Sequence, residues 1–161
     1  MKHVVGKIAA LGCAWLLTGT SALADSHSVY ALAVGPERLV LLDLESRRDG
    51  PDRPTVTMIV ISAVPTVING RSAQRIDMSV QFDCGHHTAK ILDLTSRTLD
   101  GTFLLRTDGR DPAAPILPGT PSGAAEPIVC RNEISPDIEG LVGSLESHQR
   151  AYFDTLRETG Q

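Results

Sequence analysis

The chain has 161 residues, long enough for one domain with a real core. Its net charge of −4 argues against a phosphate-backbone ligand, which needs clustered Lys and Arg, so no nucleic-acid partner is expected. Aromatic residues make up only 4% and Trp15 is the single Trp, too few ring faces for a carbohydrate-stacking platform or an aromatic cage.

The N-terminus predicts export. Lys2 and Lys7 give a positive start, residues 8–17 are apolar, and Ala22-Leu23-Ala24 offers small residues just before Asp25. This is the pattern of a cleavable secretory signal over residues 1–24, cut between Ala24 and Asp25, and its apolar run is short for a membrane span. No later apolar run reaches spanning length, so residues 25–161 are expected to be one exported domain without a membrane span, in the periplasm or on the cell surface. Cys13 lies in the signal, where Ala10-Leu11-Gly12-Cys13 loosely matches a lipid-attachment site as the alternative reading. Cys84 and Cys130 remain, and two cysteines in an exported chain read as one disulfide.

Residues 29–34 are a short apolar run ended by Gly35-Pro36, and residues 38–44 (RLVLLDL) read as a strand between Gly and Pro punctuation. Residues 47–51 read as a turn. Residues 55–64 are rich in β-branched side chains, and Asn69-Gly70 signals a hairpin. In residues 73–84, Ile76, Met78, Val80 and Phe82 alternate with Arg75, Asp77, Ser79 and Gln81, which predicts one face to the core and one to water. Cys84 shares the parity of Phe82 and is expected to point inward. Residues 88–95 and 102–106 read as two more strands joined across Leu99-Asp100-Gly101. Residues 108–127 are rich in Pro, Gly and Ala and predict a surface loop. Ser135 as cap, Pro136 at the first helical position, and Asp137 with Glu139 in the first turn predict a helix over 135–158. Its apolar stripe would be Ile138, Leu141, Val142, Leu145, Tyr152, Phe153 and Leu156. The expected fold class is α+β: an antiparallel sheet of about six strands, a C-terminal helix packed on it, and one disulfide.

Reactive constellations are sparse. His86 and His87 follow Cys84, but adjacent residues on a strand face opposite ways and chelate poorly, so no metal is expected and these two are weak candidates only. No HExxH, CxxC, GxSxG or phosphate-binding glycine loop is present. Neither a catalytic residue nor a cofactor is therefore expected, and the chain reads as a non-enzymatic protein. The helix end bearing Tyr152, Phe153 and Leu156 admits self-association into a homodimer as the rival to core packing.

Several short motifs in order carry a resemblance. They are Leu42-Asp43-Leu44-Glu45-Ser46, Val80-Gln81-Phe82-Asp83-Cys84, Leu99-Asp100-Gly101, Ile116-Leu117-Pro118-Gly119-Thr120 and Val129-Cys130. Across roughly residues 28–131 the chain resembles the small exported bacterial proteins of the surface-adhesin protein E type. The resemblance implies a sheet with a helix, the Cys84–Cys130 disulfide, and adhesion or ligand binding in the cell envelope, haem among the ligands of its founding relatives. Tyr30 stands where that family has an early Trp, and Pro127 interrupts what is usually a short helix before the second Cys. The partner is left open between an extracellular protein and a small ligand. The alternative function is a soluble periplasmic structural or small-ligand-binding protein with no adhesive role.

Overall fold

The computed structural model describes residues 29–50, 52–141 and 144–159. The predicted signal, with Cys13, Trp15 and the Ala24–Asp25 junction, lies outside the described residues, as does Val142. Six strands follow one another as an antiparallel meander: β1 (Val29–Val34), β2 (Arg38–Arg48), β3 (Thr55–Ile68), β4 (Arg71–Asp83), β5 (Thr88–Arg97) and β6 (Phe103–Asp108). Two short strands complete an eight-stranded sheet. β7 (Ala114–Pro115) pairs with the outer side of β5, and β8 (Glu139–Leu141) pairs with β1. The helices are α1 (Pro121–Arg131) and α2 (Leu145–Glu158).

The apolar run of β2 shows why the sheet carries a helix on each face. Leu39 and Leu41 lie with Ile59 and Ile61 beneath Tyr152 and Leu156 of α2. Val40 and Leu42 lie on the other face with Val56, Met58, Val80 and Phe82, beneath Ala125, Ile128 and Val129 of α1. Strands buried on both faces read as continuous apolar runs, and each such side chain contributes about 1.5–3 kcal/mol. Phe82, Leu41, Leu42, Ile61 and Ile128 are among the largest fully buried side chains.

The structure corrects two expectations. Residues 108–127 are not a single loop: they hold β7 and most of α1. Thr120 caps α1 by accepting the Gly123 amide at 3.1 Å, and Pro121 opens it. Pro127 stands inside the helix, where it forfeits an amide hydrogen bond at a usual cost of about 3 kcal/mol. Full burial of Ala125, Ile128 and Val129 offsets that cost. The C-terminal helix begins at Leu145 and not at Ser135. Ser135 closes one turn, its carbonyl accepting the Ile138 amide at 3.0 Å, and the chain then extends into β8. The poor helix former Gly140 pairs there with Tyr30, and Ile138 packs on the α1 side of the sheet, not on the α2 side. Ser144 is the true cap of α2, accepting the Ser147 amide at 3.2 Å.

Candidate functional site

Cys84 and Cys130 form the predicted disulfide, with Cα atoms 5.6 Å apart. It fastens the end of β4 to the last turn of α1, so it sets how that helix lies across the sheet. His86 and His87 sit in the β4–β5 turn beside it, and the fold does not bring them together. His86 Nδ1 lies 2.9 Å from Asp83 Oδ1, and His87 Nδ1 lies 2.6 Å from Glu126 Oε1 on α1. Asp83 also accepts the His86 amide at 3.1 Å and faces the Arg53 guanidinium at 3.0 Å. The hydrogen bond from His86 holds the Asp83 carboxyl below its ordinary pKa. Among the described residues no group of three or more His, Cys, Asp or Glu is arranged to hold a metal ion. The two histidines instead brace the turn, one locally and one against α1.

α1 covers only part of its face of the sheet. Beyond its N-terminus the floor made by Val40 of β2, Met58 and Val60 of β3, Met78 and Val80 of β4, and Ile91 of β5 opens into a groove of about 490 Å³. The segment after β6 forms the opposite wall. Gly109 donates its amide to the Leu92 carbonyl at 2.8 Å, and Ile116 donates to the His87 carbonyl at 2.9 Å. Pairing of Thr88 with Pro115 and Ala89 with Ala114 pins the strap between these points. Leu117 and the first residues of α1 close one end, and Arg38 and Asp111 supply the charged groups of the lining.

The groove has the size of a small-molecule site and an apolar lining with few polar groups. Met58 and Met78 add flexible, polarisable side chains that conform to irregular ligands. Only the Met78 and Val80 part of its floor was legible, as the alternating apolar face of residues 73–84, and its wall was not, because residues 108–127 read as a loop. The Thr120-Pro121 pair, a cap followed by Pro at the first helical position, is the signal that points to the helix.

The opposite face is polar where α2 leaves it uncovered. Asp77 accepts both Arg75 Nε and Arg97 Nε at 2.6 Å, and Arg106 reaches Asp93 at 3.0 Å. In these pairs the carboxylates are mostly shielded and the Arg97 and Arg106 guanidinium groups are more exposed.

No protein-family model and no curated protein matches the chain. Two solved structures of Haemophilus influenzae protein E resemble the chain weakly. Crystal form II is 16% identical, with a TM-score of 0.48, covering 58% of this chain and 80% of that one. Protein E from a non-typeable strain is 13% identical, with a TM-score of 0.42, covering 74% of this chain and 82% of that one.

Proposed function

We propose that the protein is a non-enzymatic binding domain of the cell envelope, and that it holds a small apolar or amphipathic molecule in the groove beside α1. The observation that carries this reading is the apolar floor of Met58, Val60, Met78 and Ile91, walled by a hydrogen-bonded strap instead of being covered by the helix. Export is supported by the signal-like pattern of residues 1–24 and by a disulfide of the kind that persists outside the cytoplasm. Adhesion, which the sequence resemblance implies, is binding of a broader kind; a concave groove favours a small ligand over a protein surface.

The test is titration with a fluorescent fatty acid, comparing the natural chain with Met78→Lys and Val60→Asp. A charge on the groove floor is expected to weaken saturable binding by about tenfold or more. Circular-dichroism melting separates loss of binding from loss of fold. Absence of saturable binding by the folded natural chain would sink the reading.

A further inference from the structure

Two of the residues that line the groove beside α1 are charged, Arg38 and Asp111, and the fold sets them at opposite ends. Arg38 to Val40 pair with Ser62 to Val60 without a break in register, so Arg38 extends the groove-facing row of Val40 on β2. Asp111 stands on the strap, between the Gly109 hydrogen bond to Leu92 and the pairing of Ala114 with Ala89, alongside β5. β2 and β5 are three strand spacings apart, which puts about 14 Å of apolar floor between the two charges.

Neither residue belongs to an ion pair among the described residues. Glu37, next to Arg38, acts on the other face of the sheet, where burial first and then the Glu37 charge raise the Tyr152 pKa. Its carboxylate therefore does not offset Arg38 in the groove. The Thr120 hydroxyl, also in the lining, is committed to the cap: it donates to the Leu117 carbonyl at 2.7 Å and accepts the Gly123 amide at 3.1 Å. The two charged ends are unequal as binding groups. A guanidinium holds a carboxylate through two parallel hydrogen bonds, and its aliphatic stem continues an apolar floor. A lone carboxylate offers a cation no such fork.

We infer that the ligand of the groove is an amphiphile with a carboxylate head seated on Arg38 and an apolar tail lying across β3 and β4 towards the strap. A single guanidinium matches one negative charge; the second charge of a phosphate monoester would go unmatched. Asp111 repels the head from the far end and so fixes the direction of binding. This assignment rests on the groove binding amphiphiles at all, as proposed above.

The experiment displaces the uncharged fluorescent dye phenylnaphthylamine from the chain with decanoate, decanol and decyltrimethylammonium, each below its micellar concentration. Decanoate is expected to compete about fivefold better than decanol, and the cation no better than decanol. Arg38→Gln should remove the advantage of decanoate and leave decanol unchanged. Arg48→Gln removes the same charge at the other end of β2 and should change nothing. Both arginines are exposed, so the melting temperature should hold in either variant. Three results would overturn the head group while leaving the groove standing: equal competition by decanoate and decanol, a cation that competes as well as decanoate, or an advantage that survives Arg38→Gln. Failure of the dye and the alcohol to bind would remove the groove reading, and the head group with it.

Discussion

Ser46 accepts the amide hydrogen of Thr57 at 2.7 Å and donates its own hydroxyl hydrogen to the Asp43 carbonyl at 2.6 Å. The β2–β3 register jumps at this point, from Asp43 opposite Thr57 to Arg48 opposite Thr55. Leu44, Glu45, Ser46 and Arg47 therefore loop out of the ladder. The Ser46 hydroxyl replaces the backbone carbonyl that Thr57 would otherwise bond, and Asp43 Oδ1 accepts the Glu45 amide at 3.0 Å to shape the bend. The Asp43-to-Ser46 motif is thus a device for making a large bulge in a sheet.

Ser46→Ala should lower stability by about 1–2 kcal/mol, because it leaves a partly buried amide without its partner. Asp43→Asn should cost much less, since Oδ1 remains an acceptor. Urea denaturation of the two variants measures the difference. Equal losses would show that the hydroxyl does not carry the bulge.

The other motifs behave alike. Asp100 accepts hydrogen bonds from Thr98 and from the amide and hydroxyl of Thr102, and so closes the β5–β6 turn around Gly101, whose φ is +84°. The Thr98 hydrogen bond, first, holds the Asp100 carboxyl below its ordinary pKa, and the Arg71 charge adds a little. A depressed folded-state pKa stabilises the fold above the ordinary carboxylate value of about 4 and loses that contribution as pH falls through the lower folded value. Asp100→Asn should therefore lose less stability than the natural chain between pH 6 and pH 3, read from urea midpoints at each pH. Parallel losses would mean that Asp100 titrates normally.

Cys84→Ser and Cys130→Ser should each lower the melting temperature, and the double variant should be no worse than either. The bond closes a span of 46 residues, worth roughly 4 kcal/mol in the chain-entropy account. Additive losses in differential scanning calorimetry would mean that the two sulfurs act independently.

These motifs explain what the chain showed before its structure was known. The meander was legible because strand-forming residues, Gly-Pro punctuation and Asn69-Gly70 all point the same way. The disulfide was legible by count. α1 was hidden because Gly123 and Pro127 lower its propensity, and the Thr120 cap with burial of Ala125, Ile128 and Val129 against the sheet makes it a helix. The start of the C-terminal helix was misplaced because Ser135 and Pro136 carry true cap chemistry that serves a single turn. The groove escaped notice for a related reason. Its floor belongs to the ordinary core-facing residues of β2 to β5, and it is a site only where the strap and α1 leave that floor uncovered. Most residues of the resembling motifs shape turns, the bulge or the disulfide and speak for the fold, while Val80, Ile116, Leu117 and Thr120 also line the groove.

Gly109 joins the fold to the proposed groove most directly. A Cβ at this position would lie 1.9 Å from the Ile91 carbonyl oxygen, a backbone atom that cannot rotate away. Gly109→Ala should therefore push the strap outward from β5, breaking the bond to the Leu92 carbonyl and displacing the groove wall at Pro112 and Ala114. Overpacking of this kind costs about 1–3 kcal/mol, which leaves a protein with two buried cores folded. Fatty-acid affinity should fall at a temperature where circular dichroism still reports the native sheet. Gly85→Ala is the control, because its Cβ would meet only Asp83 Oδ1 at an ordinary 3.8 Å, and both stability and affinity should stay put. If Gly109→Ala also keeps full affinity, the strap is not a wall of the site, and the ligand must be sought elsewhere on the molecule.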